Sequence, residues 1–364
     1  MTDITRFLRR GILDIDPYIP GKPLEDVKAE FGLSEVVKMA SNENPFGPSP
    51  RAVAAIEKEL KNLHLYPEGP CTLLREVLSK RLGIDKNMIT LSNGSDNCVV
   101  LVGSAFINEG DEILMADPTF LVYRTIAKIM GGRSVPVKLK DHTHDLNTMR
   151  KKIGERTKLI FVCNPHNPTG TIVKKAQLDD FVTTLPEHTI LVLDEAYADF
   201  VTDSDHPDGL DYIKGGYNVI VLRTFSKLYG LAGLRVGYAL AREEIITALN
   251  RVREPFPVSR VGQVAAVAAL DDKEFREKVI KNNEEGKAYF YREFEKMKVS
   301  YIPSHANFIL ADYGRDSQQL VRSLLRQGII IRPGYVWNYH TFARVTIGTM
   351  DQNRRFIQAL KSVL

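Results

Sequence analysis

Cysteine is scarce in this chain. Three in 364 residues, Cys71, Cys98 and Cys163, are odd in number and far apart, which excludes a disulfide framework and a cysteine-built metal site and makes a reducing cytoplasm the expected setting. An excess of one charge is lacking too. With 49 Lys and Arg against 45 Asp and Glu the net charge is +4 and no long basic run occurs, so nothing argues for a nucleic-acid partner. No apolar stretch is long enough to span a bilayer. Met1 to Arg10 mixes charged and apolar residues without the apolar core of a signal peptide, so no membrane role is expected. Among eight histidines there is no His-x-x-x-His pattern; His142 and His144 lie in a polar loop where solvent exposure is expected, and no metal is expected. Gly-x-Gly-x-x-Gly, the dinucleotide fingerprint, is absent, as are internal repeats and low-complexity linkers.

What is present is a soluble globular composition, 44% hydrophobic and 26% charged, long enough for two domains. The chain is organised around Lys227. The apolar run Val219 to Leu222 leads into Thr224, Ser226 and Lys227, and then into a glycine-spaced turn, Gly230, Gly233 and Gly237, that carries Arg235. An amine inside an anion cradle suits a cofactor with both an aldehyde and a phosphate: Lys227 forms the Schiff base, while Thr224, Ser226 and Arg235 hold the phosphate. Taken alone, such a stretch is as well explained by a solvated lysine in a glycine-rich loop.

Two further stretches decide between them. Thr189 to Leu193 is a continuous apolar run ending in Asp194, a pattern of a buried parallel strand with a carboxylate where open α/β sheets bind ligands. Asp194 is placed to pair with a protonated ring nitrogen, keeping the ring able to absorb electrons, and Tyr197 to donate to a ring oxygen; an isolated Asp there is more commonly a helix N-cap. Lys158 to Cys163 leads into Asn164-Pro165-His166-Asn167-Pro168-Thr169-Gly170, where each X-Pro step restricts the residue before it, so Asn167 is held where its amide can bond a cofactor oxygen. Upstream, Asn93-Gly94-Ser95-Asp96 opens a helix, and backbone N–H groups at Gly94, Ser95 and Asp96 are candidates for the same phosphate, with a plain N-cap as the alternative.

The ordered set Asn-Pro-x-Asn-Pro-Thr-Gly, Asp-Glu-Ala-Tyr and Ser-Lys-x-x-Gly-Leu-Ala-Gly-Leu-Arg-x-Gly-Tyr resembles the fold type I aminotransferases, which use pyridoxal 5'-phosphate. Within them the chain is most similar to the histidinol-phosphate aminotransferases, with support from Pro17 to Pro23, Ser41 to Pro48 and Ala343 to Thr349. The resemblance spans nearly the whole chain. It implies a homodimer with shared active sites, in which Tyr66 reaches the cofactor phosphate of the other subunit. It also implies Phe120 stacked on the cofactor ring, Tyr18 and Arg332 on a substrate anion, and Arg344 on the substrate's carboxylate or phosphate end. The small-molecule substrates it implies are L-histidinol phosphate as amino donor and 2-oxoglutarate as acceptor, a step of histidine biosynthesis.

Two features depart from the family pattern: Asn97 stands where a Glu is usual, and Tyr335 to His340 is more aromatic than expected. An aromatic amino-acid aminotransferase is therefore the alternative. A threonine-phosphate decarboxylase-like enzyme and a non-catalytic cofactor-binding protein are more distant ones.

The expected architecture is α/β. A large cofactor-binding domain, residues 48–258, has a mostly parallel sheet sandwiched by helices. A smaller α+β domain is formed by residues 259–364 with the N-terminal arm, 1–47, which is read as having few regular elements.

Overall fold

The computed structural model describes residues 4–9, 11–17 and 22–364; Tyr18 lies outside them. The arm carries α1 (Leu24–Phe31) and β1 (Val37–Lys38). The chain continues through α2 (Pro50–Glu59), α3 (Thr72–Leu82), β2 (Ile89–Asn93), α4 (Ser95–Phe106), β3 (Glu112–Asp117), α5 (Val122–Met130), β4 (Arg133–Lys138), α6 (Leu146–Lys152) and β5 (Thr157–Cys163). Next come α7 (Lys175–Val182), β6 (Ile190–Asp194), α8 (Gly209–Lys214), β7 (Val219–Thr224), β8 (Val236–Leu240), α9 (Glu243–Val252), α10 (Arg260–Leu270) and α11 (Lys273–Met297). The last part holds β9 (Ser300–Tyr301), β10 (Phe308–Asp312), α12 (Ser317–Leu325), β11 (Ile329–Ile330), β12 (Arg332–Pro333), β13 (Phe342–Thr346) and α13 (Met350–Val363).

Seven strands form the large sheet in the order β2-β8-β7-β6-β5-β3-β4. β8 alone runs against its neighbours β7 and β2. The reason is chain length: a parallel return needs a crossover of about a dozen residues or more, and the Phe225–Arg235 connection is too short for one. That connection carries both Lys227 and Arg235. Side chains along the central strands alternate between two cores, as a period of two requires. Ile160, Val162, Leu191 and Leu193 face a core shared with α3, α7 and α10. Leu159, Phe161, Ile190 and Val192 face the core under α4, α5 and α9. The sheet is therefore buried on both faces, and its ligands enter at the strand ends.

The small sheet, β12-β13-β10-β9, is antiparallel. Its core is filled by Phe290 and Phe294 of α11, Leu324 of α12 and Phe356 of α13. The arm joins this unit, because β1 pairs with β11 at Val37 and Ile329 and Val27 and Met39 pack into the same core. α11 bridges the two units: Phe275 and Val279 near its start belong to the large core, and Phe290 and Phe294 to the small one.

The structure adds helices that the sequence pattern does not announce. Parallel β3 and β4 require a crossover, and α5 supplies it, although its β-branched Val122, Thr125, Ile126 and Ile129 blur the helical signal. The arm likewise holds α1, closed by Gly32 at φ 64°.

Candidate functional site

Lys227 lies just beyond β7, and Asp194 ends the adjacent β6, so the register of two strands brings them to one rim. Lys227 Nζ donates to the Ser41 carbonyl at 3.2 Å and lies 5.6 Å from the Tyr197 ring centroid. Burial, and then the Arg344 guanidinium, lower its pKa to about 8. Asp194 is buried; its Oδ2 accepts from the Tyr123 hydroxyl at 2.6 Å and its Oδ1 from Ala196 N at 3.1 Å. Burial pushes its pKa up, against the pull of those two donors.

The Asn164–Gly170 loop is held by its own bonds. Asn164 exchanges bonds with both backbone groups of Val173 at 2.9 and 3.1 Å, and Gly170 N donates to His166 O at 2.7 Å. Asn167 is thereby fixed. Its Oδ1 accepts from Arg344 Nη1 at 2.5 Å, which sets the amide so that Nδ2 turns away from the arginine. Arg344 Nη2 donates to Ala40 O at 3.0 Å. Tyr197 accepts from Asn42 Nδ2 at 2.9 Å.

The anion cradle is assembled across β7, β8 and β2. Thr224 pairs with Gly237, and Gly237 with Ser92. A Cβ on Gly237 would lie 2.3 Å from Ser95 N, and one on Gly94 would lie 2.5 Å from Arg235 Nη2. Glycine at both positions lets the start of α4 and the Arg235 fork close on one spot. Gly94 precedes α4 at φ 82° without a side-chain cap, so the first N–H groups of the helix and its dipole face that spot. Arg235 Nη2 lies 3.5 Å from Asp96 Oδ2, and Thr224 and Ser226 share a hydroxyl bond at 3.0 Å. These groups fit a phosphate.

Of the residues expected from the sequence, Ser95, Asp96, Phe120, Asn167, Asp194, Tyr197, Lys227, Arg332 and Arg344 line one cavity of about 300 Å³. Gly94, Thr224, Ser226 and Arg235 form the cradle beside it. Phe120 makes an edge contact with Tyr123, ring centroids 5.7 Å apart. Arg332 and Arg344 pair directly across β12 and β13.

Tyr66 is not brought to the cavity of its own chain; it is 79% exposed and stacked on Phe256 at 4.6 Å. The expectation that His144 is solvent-exposed is corrected. It is buried against the end of β5, its Nε2 3.1 Å from Cys163 O, and burial lowers its pKa to about 4. Among the described residues no group of three or more His, Cys, Asp or Glu could hold a metal ion. No helix there is long and apolar enough to cross a membrane.

Two site residues were not anticipated, Tyr123 behind Asp194 and Asn42 on Tyr197, whereas Trp337, whose ring lies 5.0 Å from the Arg344 guanidinium, belongs to the aromatic segment expected as a side pocket. The first two are ordinary-looking residues whose partners lie 71 and 155 positions away. The Trp337 segment was singled out by its aromaticity, as a side pocket that would suit an aromatic substrate.

An amine of lowered basicity, a buried carboxylate and an anion cradle at the rim of a mostly parallel sheet suit an α/β enzyme that takes up an aldehyde bearing a phosphate. The chain belongs to the aminotransferase family described as Aminotransferase class I and II, whose profile matches residues 34–360. A histidinol-phosphate aminotransferase from Moorella thermoacetica is 51% identical over 357 residues, 98% of this chain and 92% of that protein. One from Caldicellulosiruptor saccharolyticus is 48% identical over 356 residues, 98% of this chain and 99% of that protein. Among solved structures, the histidinol-phosphate aminotransferase of Sinorhizobium meliloti in complex with pyridoxal-5'-phosphate superposes with a TM-score of 0.88 at 28% identity, covering 95% of this chain and 96% of that one.

Proposed function

We propose that this protein is a pyridoxal-phosphate-dependent aminotransferase that takes the amino group of L-histidinol phosphate and passes it to 2-oxoglutarate, a step of histidine biosynthesis in the cytoplasm. The observation that carries the chemistry is the convergence of Lys227, Asp194 and the Gly94–Arg235 cradle on one rim of the sheet. The substrate rests on the high identity to curated relatives.

The cofactor, when bound, supplies an electron sink for negative charge developing at the substrate's amine-bearing carbon. Lys227 would hold the cofactor through its amine and would move the proton at that carbon as base and then acid. Its lowered pKa leaves a large neutral fraction near pH 8. Asp194 would keep the ring nitrogen protonated, and Tyr197 and Asn167 would bond the ring oxygen. Phe120 would cover the ring, and Gly94, Ser95, Asp96, Thr224, Ser226 and Arg235 would hold the phosphate. Arg332 and Arg344 receive the anionic ends of the substrates, and Tyr18 joins them by family resemblance. The exposure of Tyr66 beside Phe256, with Leu63 and Leu65 also exposed, supports a functional unit in which Tyr66 would serve a second copy of the chain.

The test is a single-turnover titration of the cofactor-loaded protein with L-histidinol phosphate and, separately, with phenylalanine. Far more efficient conversion by histidinol phosphate supports this reading, and preference for phenylalanine would make the protein an aromatic aminotransferase.

A further inference from the structure

Tyr66 projects from the loop before α3, and the backbone of that loop is tied down while the tyrosine itself stays exposed. The ties come from one segment, the connection between α9 and α10 with the first turn of α10. Arg253 Nη1 donates to Gly69 O at 3.1 Å, Gln263 Nε2 to Glu68 O at 3.0 Å and Arg260 Nη1 to Tyr66 O at 3.3 Å. A Cβ on Gly69 would lie 2.5 Å from Pro255 O, so the loop also rests directly on this segment. Phe256, from the same segment, stacks on the Tyr66 ring.

Of these ties, the one from Arg260 runs against the rules of helix stability. Arg260 is the first residue of α10, where the helix dipole disfavours a cation, and its partner Glu59 is the last residue of α2, where the dipole disfavours an anion. Neither helix gains from the charge it carries. The two charges instead meet each other: Arg260 Nε lies 2.6 Å and Nη2 2.5 Å from Glu59 Oε1. A guanidinium is a rigid plane, so holding two of its nitrogens on Glu59 decides where the third one points. That third nitrogen is the donor to the Tyr66 carbonyl.

We propose that Arg260 is a positioning residue for Tyr66. Anchored on Glu59, it fixes the peptide plane that follows Tyr66 and, together with the Phe256 stack, sets where the tyrosine hydroxyl stands when it meets the cofactor phosphate of a second copy of the chain. The inference rests on the reading that Tyr66 is lent to that copy. Breaking the tie should therefore harm the cofactor site of the other chain, and not the site of the chain that carries the substitution.

The dissociation constant of pyridoxal phosphate, read from the absorbance of the bound cofactor, is measured for wild type, Tyr66→Phe, Arg260→Met and the Tyr66→Phe/Arg260→Met double variant. Arg260→Met is expected to weaken binding by about three- to tenfold, and the double variant to bind no more weakly than Tyr66→Phe alone, as for two residues acting through one contact. Arg260→Lys keeps the charge opposite Glu59 without the fork and should recover little of the loss. Glu59→Gln/Arg260→Met leaves no carboxylate without its partner and should show the same loss, which separates lost positioning from lost folding.

Heterodimers with one working lysine give the second readout, the dependence of turnover on added pyridoxal phosphate. A wild-type chain paired with Lys227→Ala/Arg260→Met should need more cofactor. An Arg260→Met chain paired with Lys227→Ala should match a wild-type chain paired with Lys227→Ala. Losses that multiply in the double variant, or a defect that follows the chain holding the intact lysine, would overturn the proposal. Full binding by Arg260→Met beside a weakened Tyr66→Phe would remove the role of Arg260 alone, whereas Tyr66→Phe binding the cofactor as tightly as wild type would remove the reading of Tyr66 on which it rests.

Discussion

A lysine can serve as base only while neutral, and Lys227 is brought toward neutrality by burial and by Arg344, to a pKa of about 8. Capture of pyridoxal phosphate by the apoprotein is therefore expected to speed up as pH rises, with a midpoint near 8, measured by stopped-flow absorbance. Arg344→Gln removes a neighbouring cation and should move that midpoint upward; an unmoved midpoint would leave the shift to burial and Arg235. The same value has a stability consequence of definite sign. The folded amine loses its proton near pH 8 and the unfolded one near its ordinary value of 10.5. Between these the unfolded chain binds more protons, so the contribution of Lys227 to the stability of the apoprotein rises with pH across that window. Asp194 offers a second test. Its buried Oδ2 depends on the Tyr123 hydroxyl at 2.6 Å, while the Tyr123 ring is stacked on Phe161 at 4.3 Å. Tyr123→Phe keeps the stack and removes the donor, and should destabilise the apoprotein by roughly 1–3 kcal/mol in urea unfolding. No loss would mean that another group takes over the bond.

At the scale of elements, the glycine-spaced turn before β8 separates two kinds of glycine within one motif. A Cβ on Gly237 would meet the backbone of Gly94 and Ser95 at 2.4 and 2.3 Å, whereas one on Gly233 would meet nothing within 4 Å. Backbone cannot swing aside as a side-chain tip can. Gly237→Ala is therefore expected to cost about 1–3 kcal/mol and to weaken cofactor retention by prising α4 from β8. Gly233→Ala should stay within about 0.5 kcal/mol of the parent. Thermal unfolding with and without added cofactor measures both.

The central strands and the residues ending them were legible because each strand is a continuous apolar run, and an acid or lysine after such a run must emerge at the sheet's rim. Asp194, Asn167, Lys227 and Arg235 followed from that logic. Tyr123 and Asn42 did not, because their roles depend on which distant strand ends meet, a property of sheet order rather than of local pattern. α5 was hidden for a related reason: its existence follows from β3 and β4 being parallel neighbours, and its β-branched residues mask the helical period. The helix at the start of the cradle was legible, but the fact that Gly94 faces Arg235 was not, since it requires β2 and β8 to be adjacent.

For the whole molecule, the placement of Tyr66 raises the question of where an active site ends. Within one chain the residue is 79% exposed and lines no part of the cavity at Lys227. Its stacking partner Phe256 is itself 47% exposed, so the pair presents two exposed aromatic rings with a hydroxyl on one of them. Such a surface asks for a partner, and in a twofold dimer each copy would lend its Tyr66 to the other. Two defective variants distinguish a lent residue from a local one. Lys227→Ala and Tyr66→Ala are expected to be inactive and impaired, respectively, as homodimers. In a mixed dimer, one site combines the intact Lys227 of one chain with the intact Tyr66 of the other, so co-expression should restore activity at that site alone. If Tyr66 served its own chain, the mixed dimer would hold one site lacking the lysine and one lacking the tyrosine, and mixing would restore nothing. Turnover of purified heterodimers, carrying a different affinity tag on each chain, measures the difference. Restoration to about half of the wild-type rate is the value for one working site in two.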